Sequence, residues 1–157
     1  MEIGEQQTAG VVVPPPIVLL LALAAASALH WLRSWPIFQK GTLHVLFGVV
    51  FVAAAIVLAA WSMRTMRLAG TRYETSRPTS SIVSYGPFRL TRNPIYLAML
   101  MLLLGVGVAF NSGWVFLMMF PFYLVIRYGV IAREEAYLEG KFGADYLAYK
   151  DTVRRWL

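Results

Sequence analysis

Apolar positions in this chain fall in long unbroken runs, not in the spaced stripes of soluble helices or the alternation of half-buried strands. The first run, PIVLLLALAAASALHWL, covers positions 16–32, and the second, LHVLFGVVFVAAAIVLAAWSM, covers 43–63. Each is near the ~20 residues that cross a bilayer as a helix. Pro14-Pro15-Pro16 sets the start of the first, since proline is tolerated in a helix's first turn. After Pro94 an uncharged run reaches Ile126, too long for one span of ~20 residues. Asn111-Ser112-Gly113 lies inside it and is a turn signal. The run therefore divides into helices at 95–110 and 114–131, a tight hairpin. The helix at 95–110 is short for a full crossing at ~1.5 Å per residue, and Pro121 is expected to kink the one after it. The expected fold is an all-α integral membrane protein in one domain, residues 1–157, with about four transmembrane helices and a C-terminal helical segment at 132–157.

Composition supports that reading. Hydrophobic residues make up 59% of the 157 and the mean hydropathy is +0.61, whereas soluble domains are roughly 45–50% apolar even with glycine counted. The absence of cysteine rules out disulfides, thiolate metal sites and cysteine nucleophiles. A net charge of +6 would raise nucleic acid as a partner for a soluble domain. Here the arginines cluster beside apolar spans, so a membrane surface or an anionic small ligand is expected instead. AAASA resembles a signal-peptide cleavage site, but Glu2 and Glu5 stand where a signal peptide carries basic residues.

Charge also orients the bundle. Arg64, Arg67, Arg72, Arg77, Arg89 and Arg92 lie between the second and third spans, and Arg133, Lys141, Lys150, Arg154 and Arg155 follow the fourth. The connection between the first two spans has only Arg33 and Lys40. The positive-inside rule places both termini and the arginine-rich loop in the cytoplasm. His30 and His44 then fall at the outer end, and beside Trp31 and Trp35 they read as interfacial residues, with a haem or proton-relay pair as the alternative.

The stretch SYGPFRLTRNPIYLAML poses a physical question. Arg89 and Arg92 stand at the positive end of a helix dipole, so something must compensate them: lipid phosphate, an acidic partner segment or an anionic ligand. Asn93 suits an N-cap and Pro94 an N1 position. A helix N-terminus beside arginines can hold a carboxylate. Glu134 and Glu135, where the last span ends, can accept hydrogen bonds from an ammonium or from ribose hydroxyls. The cations in their reach are the loop arginines. Together these groups form a polar chamber at the membrane's edge, suited to a zwitterionic cofactor. The plainer reading is positive-inside arginines, an ordinary helix cap and an interfacial amphipathic helix.

The blocks GPFR…RNPIY and REEAYLEGKFGADYLAY, at this separation, resemble the isoprenylcysteine carboxyl methyltransferase family, which belongs with the phospholipid N-methyltransferases among integral-membrane methyltransferases. The resemblance covers roughly positions 69–157. It implies a small helical bundle with a cytoplasmic pocket for S-adenosylmethionine capped by the C-terminal segment. Gly86, Pro87, Phe88, Asn93, Tyr96 and Leu97 are implied in that pocket, with Glu134 and Glu135 binding the cofactor and Tyr146 and Tyr149 in its lid. Arg92 matches an arginine expected near the reacting centre. Many members carry histidine at the position of Asn93 and tyrosine at that of Phe88. Asparagine cannot act as a base, so any general-base role passes to a carboxylate, Glu134 or Glu135, or to water.

The expected activity is methyl transfer from S-adenosylmethionine to a lipophilic, membrane-resident carboxylate, amine or hydroxyl, with Arg92 and Glu134 in catalytic roles and no metal. The alternatives are an NADPH-dependent membrane reductase of sterol-reductase type, and a non-catalytic lipid-binding scaffold.

Overall fold

The computed structural model describes residues 10, 13–39, 41–71 and 80–157; Glu2, Glu5, Lys40, Arg72 and Arg77 lie outside the described residues. Helix α1 spans Pro15–Leu32 and α2 spans Leu43–Leu68. A short 3₁₀ turn, Gly86–Arg89, precedes α3 at Pro94–Ala109. Helix α4, Gly113–Leu124, runs without a break through a π-helical segment, Val125–Ile131, into α5, Ala132–Phe142. Gly143, at φ +52, turns the chain into α6, Ala144–Thr152. The described residues are all helix and connection, as the apolar runs predict.

Among the described residues three helices are long and apolar enough to cross a membrane: α1, α2 and the continuous run Gly113–Phe142. Helix α3 is shorter, at 16 residues. It lies between α2 and α4, with α1 packed on α4 and touching α3. The core is Tyr96 and Leu103 of α3 against Val115, Phe122, Ile126, Val130 and Ile131. Large apolar side chains on the outward flanks of α1 and α2, such as Leu20, Leu46 and Val57, are exposed. In water such a surface is unstable, and in lipid it is the expected one.

The α2–α3 contact depends on glycine. A Cβ on Gly105 would lie 2.8 Å from the Val52 backbone nitrogen and 2.9 Å from the Gly48 carbonyl oxygen, and one on Gly48 would lie 2.4 Å from the Ala109 nitrogen. Small residues let membrane helices approach backbone to backbone. The pattern Gly105-x-Gly107 lacks the spacing of a helix-dimer motif, and its role lies within the chain.

At one end of the bundle the turn after α3 clasps the α1–α2 connection. Asn111 accepts the backbone N–H groups of Ile37 (2.8 Å) and Phe38 (2.7 Å) and donates to the Phe38 carbonyl. Gly113 N–H donates to the Trp35 carbonyl and Trp114 Nε1–H to that of Arg33. His44 stacks on Phe38 at this end. The helix stays α-helical through Pro121, and its change of register falls one turn later, at Val125.

Gly105→Ala is expected to lower the thermal midpoint in detergent, at a cost of about 1–3 kcal/mol from overpacking. Gly140→Ala, where an added Cβ meets nothing within 4 Å, is expected to be neutral or to stabilise by about 0.5–1 kcal/mol through helix propensity. Thermal unfolding of the two variants side by side checks the contrast.

Candidate active site

Of the two arginines at the mouth of α3, Arg92 is compensated by an acidic partner segment. Gly86, at φ +62, opens the 3₁₀ turn, and a Cβ there would stand 3.0 Å from Thr65 Oγ1. Pro87 and Phe88 are buried behind it. The chain then enters α3 through Thr91, Arg92 and Asn93, and all three grip residues 154–155. Arg92 N–H donates to the Arg154 carbonyl at 2.9 Å. Thr91 Oγ1 and Asn93 Nδ2 both donate to the Arg155 carbonyl, at 2.9 and 3.1 Å. Asn93 occupies the N-cap position but makes no side-chain cap bond. Its amide is used on the 153–157 segment, so the expected cap is present in place and absent in bonding.

Glu135, on the first turn of α5, is 6% exposed. Its Oε1 accepts Arg155 Nε at 3.0 Å and its Oε2 accepts Arg155 Nη2 at 2.6 Å, a bidentate fork. Arg92 Nη2 lies 3.3 Å from Oε1. Hydrogen bonding to Glu135 raises the Arg155 pKa above its ordinary value, while the nearby charge of Arg127 opposes it. Two guanidinium groups thus share one carboxylate. Arg92 Nε and Nη1 are buried with no hydrogen-bond partner, and so is Trp156 Nε1. Buried donors left unpaired are costly, and charged ones more so.

The two adjacent acids have different partners. Glu134 accepts the Tyr96 hydroxyl on Oε1 at 2.6 Å. Tyr149 donates to the Phe88 carbonyl at 2.7 Å, which ties α6 to the 3₁₀ turn. Burial pushes its hydroxyl up to about 12, with Arg92 opposing. Tyr146 is buried 6.2 Å from the Tyr149 ring. Burial, then the charge of Glu135, raises its pKa well above the usual tyrosine value. Both hydroxyls therefore stay protonated. Leu97 joins this group only through its N–H on the Asn93 carbonyl. A cleft of about 610 Å³ opens between Ser80, Ser84 and α6, with Asp145 and Tyr149 in its wall. Of the expected pocket residues it touches only Tyr149.

The structure therefore brings together Gly86, Pro87, Phe88, Asn93, Tyr96, Glu134, Glu135, Tyr146, Tyr149 and Arg92 at one end of the bundle. It adds Thr91, Arg155 and Trp156, which sequence reasoning missed. For Arg155 and Trp156 the signal is RRW at 154–156, which in the sequence counts only as charge for orientation; Thr91 carries none. His30 and His44 lie at the other end of α1 and α2 and take no part.

Glu135→Ala leaves two guanidinium groups facing each other, and removing one partner of a buried ion pair costs about 3–5 kcal/mol. The 153–157 segment is expected to detach more often, so trypsin should cleave after Arg154 or Arg155 at least about tenfold faster than in the parent protein, read by mass spectrometry under native conditions. Unchanged cleavage would show that the backbone grip alone holds the segment.

Comparison with known proteins gives the chain its relatives. A 63-residue protein of Haemophilus influenzae (strain ATCC 51907 / DSM 11121 / KW20 / Rd), described as an uncharacterized protein, is 46% identical over its whole length, which corresponds to 40% of this chain. No solved structure matches. The phospholipid methyltransferase family model matches residues 43–145, from the start of α2 through both acids of the site into α6. The chain belongs to the phospholipid methyltransferase family of integral-membrane enzymes.

Proposed function

We propose that this chain transfers a methyl group from S-adenosylmethionine to a lipophilic acceptor held in the membrane. Arg92 carries the proposal: a buried guanidinium, anchored by one nitrogen to Glu135, has two further donors without acceptors. A carboxylate oxygen fits either of these donors, and an amino-acid cofactor brings a carboxylate. Glu134 uses one oxygen on Tyr96, leaving Oε2 for an ammonium or a ribose hydroxyl. Glu135 is committed to the arginines, so its part is to hold Arg92 in place. Gly86, Pro87, Phe88, Asn93, Tyr96 and Leu97 build the wall on the α3 side, and Tyr146 and Tyr149 close it from α6.

When bound, the sulfonium supplies an already activated methyl group, so the protein's main task is alignment for in-line attack. A carboxylate acceptor needs no base. For an amine or hydroxyl acceptor, Glu134 is the carboxylate placed to take the proton, and the Tyr96 hydroxyl bonded to it fixes its orientation. The positive-inside pattern supports a cytoplasmic position for this end of the bundle and both termini, on the side that supplies the cofactor.

The test is calorimetric titration of the detergent-purified protein with S-adenosylhomocysteine, and with NADPH as the rival. Micromolar binding of the nucleoside and none of NADPH is expected. Arg92→Gln should weaken it about tenfold or more, the worth of one or two hydrogen bonds to a charged group. A folded protein that ignores S-adenosylhomocysteine would overturn the assignment.

A further inference from the structure

The candidate site is built from α3, α5, α6 and the 153–157 segment, and α2 reaches it only where Thr65 meets Gly86. That helix nevertheless buries two hydroxyls close to the site: Ser62 is 0% exposed and Thr65 4%. Alanine or valine would fill such positions with no polar atom to satisfy. Each hydroxyl donates back to the carbonyl four residues earlier, Ser62 to Leu58 at 2.6 Å and Thr65 to Trp61 at 2.8 Å. The hydroxyl hydrogens are used inside the helix, so each oxygen has only lone pairs to offer outside it. Among the described residues Ser62 makes no hydrogen bond beyond α2.

Thr65 does more. A Cβ on Gly86 would stand 3.0 Å from Thr65 Oγ1, 3.3 Å from its Cγ2 and 3.5 Å from Trp61 Nε1. The space a side chain would take at Gly86 is therefore filled by the threonine, and φ +62 favours glycine there as well. The bare backbone of the turn rests on the Thr65 side chain. One residue earlier, Tyr85 donates its hydroxyl to the Thr65 carbonyl at 3.4 Å. Further back, Ser81 Oγ donates to the Ala69 carbonyl at 3.0 Å and Ser80 Oγ to that of Gly70 at 2.8 Å. The connection 80–86 is thus laid along the end of α2, with Thr65 as the contact nearest the site. Beyond it come Pro87 and Phe88, both buried, and the Phe88 carbonyl accepts Tyr149. The height of the turn on α2 decides where that carbonyl stands, and so where α6 is tied.

We propose that Thr65 is a positioning residue of the cofactor pocket: it sets the height of the Gly86–Arg89 turn on α2, and with it the pocket wall and the point at which Tyr149 holds α6. It acts through the turn and does not itself touch the reacting groups. The proposal rests on the methyltransferase reading for the ligand, and not for the geometry of the contact. Thr65→Val exchanges the hydroxyl oxygen for a bulkier methyl at nearly constant shape, and is expected to lift the turn while leaving the helix in place.

The experiment measures S-adenosylhomocysteine binding to the full chain in detergent by calorimetry, with hydrogen exchange on the same samples as a reading that needs no ligand. Thr65→Val is expected to weaken binding about three- to tenfold with the thermal midpoint unchanged. Thr65→Ser, which keeps the oxygen, should bind within about twofold of the parent. Ser62→Ala removes a buried hydroxyl with the same back-bond and no tie to the turn, and should leave binding unchanged. In exchange, Thr65→Val should speed the amides of 86–93 and 144–152 at least about threefold and leave those of α1 and α4 as they are. A pair of substitutions tests the contact itself. Gly86→Ala is expected to weaken binding at least about tenfold, from the added methyl and the strained φ. Thr65→Ala removes the two atoms nearest that methyl, so the double variant should bind at least about threefold tighter than Gly86→Ala alone. If Thr65→Val does not fold, this pair carries the test. Losses that simply add, or an equal loss in Ser62→Ala, overturn the proposal, and so does faster exchange spread evenly over every helix. The two readings fail separately. If the parent binds S-adenosylhomocysteine and Thr65→Val binds it equally well, the positioning role fails alone. If the parent does not bind it while exchange at 86–93 and 144–152 still follows Thr65, the methyltransferase reading fails alone.

Discussion

A single buried carboxylate, Glu135, holds this end of the molecule together. It receives the fork of Arg155 and one nitrogen of Arg92. Burying an ion pair yields little net stability, because desolvation offsets attraction, but breaking one is costly. Glu135 is therefore better seen as fixing an arrangement. Through Arg155 it brings residues 153–157 back to the mouth of α3, and through Arg92 it compensates the charge that the helix dipole disfavours there. The backbone bonds from Thr91, Arg92 and Asn93 lock the same contact.

The two ends of the bundle differ in how their polar groups are served. At the α3–α4 turn, Asn111 uses both its acceptor and its donor on the α1–α2 connection, and the indole of Trp114 has a carbonyl partner. That end is a closure. Ser112 Oγ and His30 Nδ1 are left without partners there, whereas at the other end the unpartnered groups are donors on Arg92 and Trp156, beside more positive charge than Glu135 balances. It is also the end where the cation-rich segments meet.

Much of this was legible in the sequence, because apolar runs, turn residues and helix starts are local signals. The four helices, the turn at Asn111-Ser112-Gly113 and the start at Pro94 all follow from neighbours in the chain. What escaped depends on partners far along it. The carbonyl of Arg155 lies 64 residues from Thr91 and 62 from Asn93, so the amide of Asn93 looked like a cap. Gly105 and Gly48 looked unremarkable until α2 and α3 were laid together. Glu134 and Glu135 looked equivalent because composition cannot show which way a helix is turned. The π segment was invisible for a related reason: in a run that is apolar on every side, a change of register leaves no mark on the pattern.

That segment has a consequence for how the site is indexed. A π turn takes up one more residue than an α turn, so it sets everything after it back by about 100°, one residue's share at 3.6 per turn. Downstream stand two identical acids side by side, one facing the arginines and the other facing Tyr96. In such a helix, length and phase are independent settings. An all-α run of the same residues would leave a sound helix, still apolar and long enough to cross, with Glu134 turned to where Glu135 meets the arginines. The fault would be silent to insertion and to helix content, and it would register only in which acid holds Arg92.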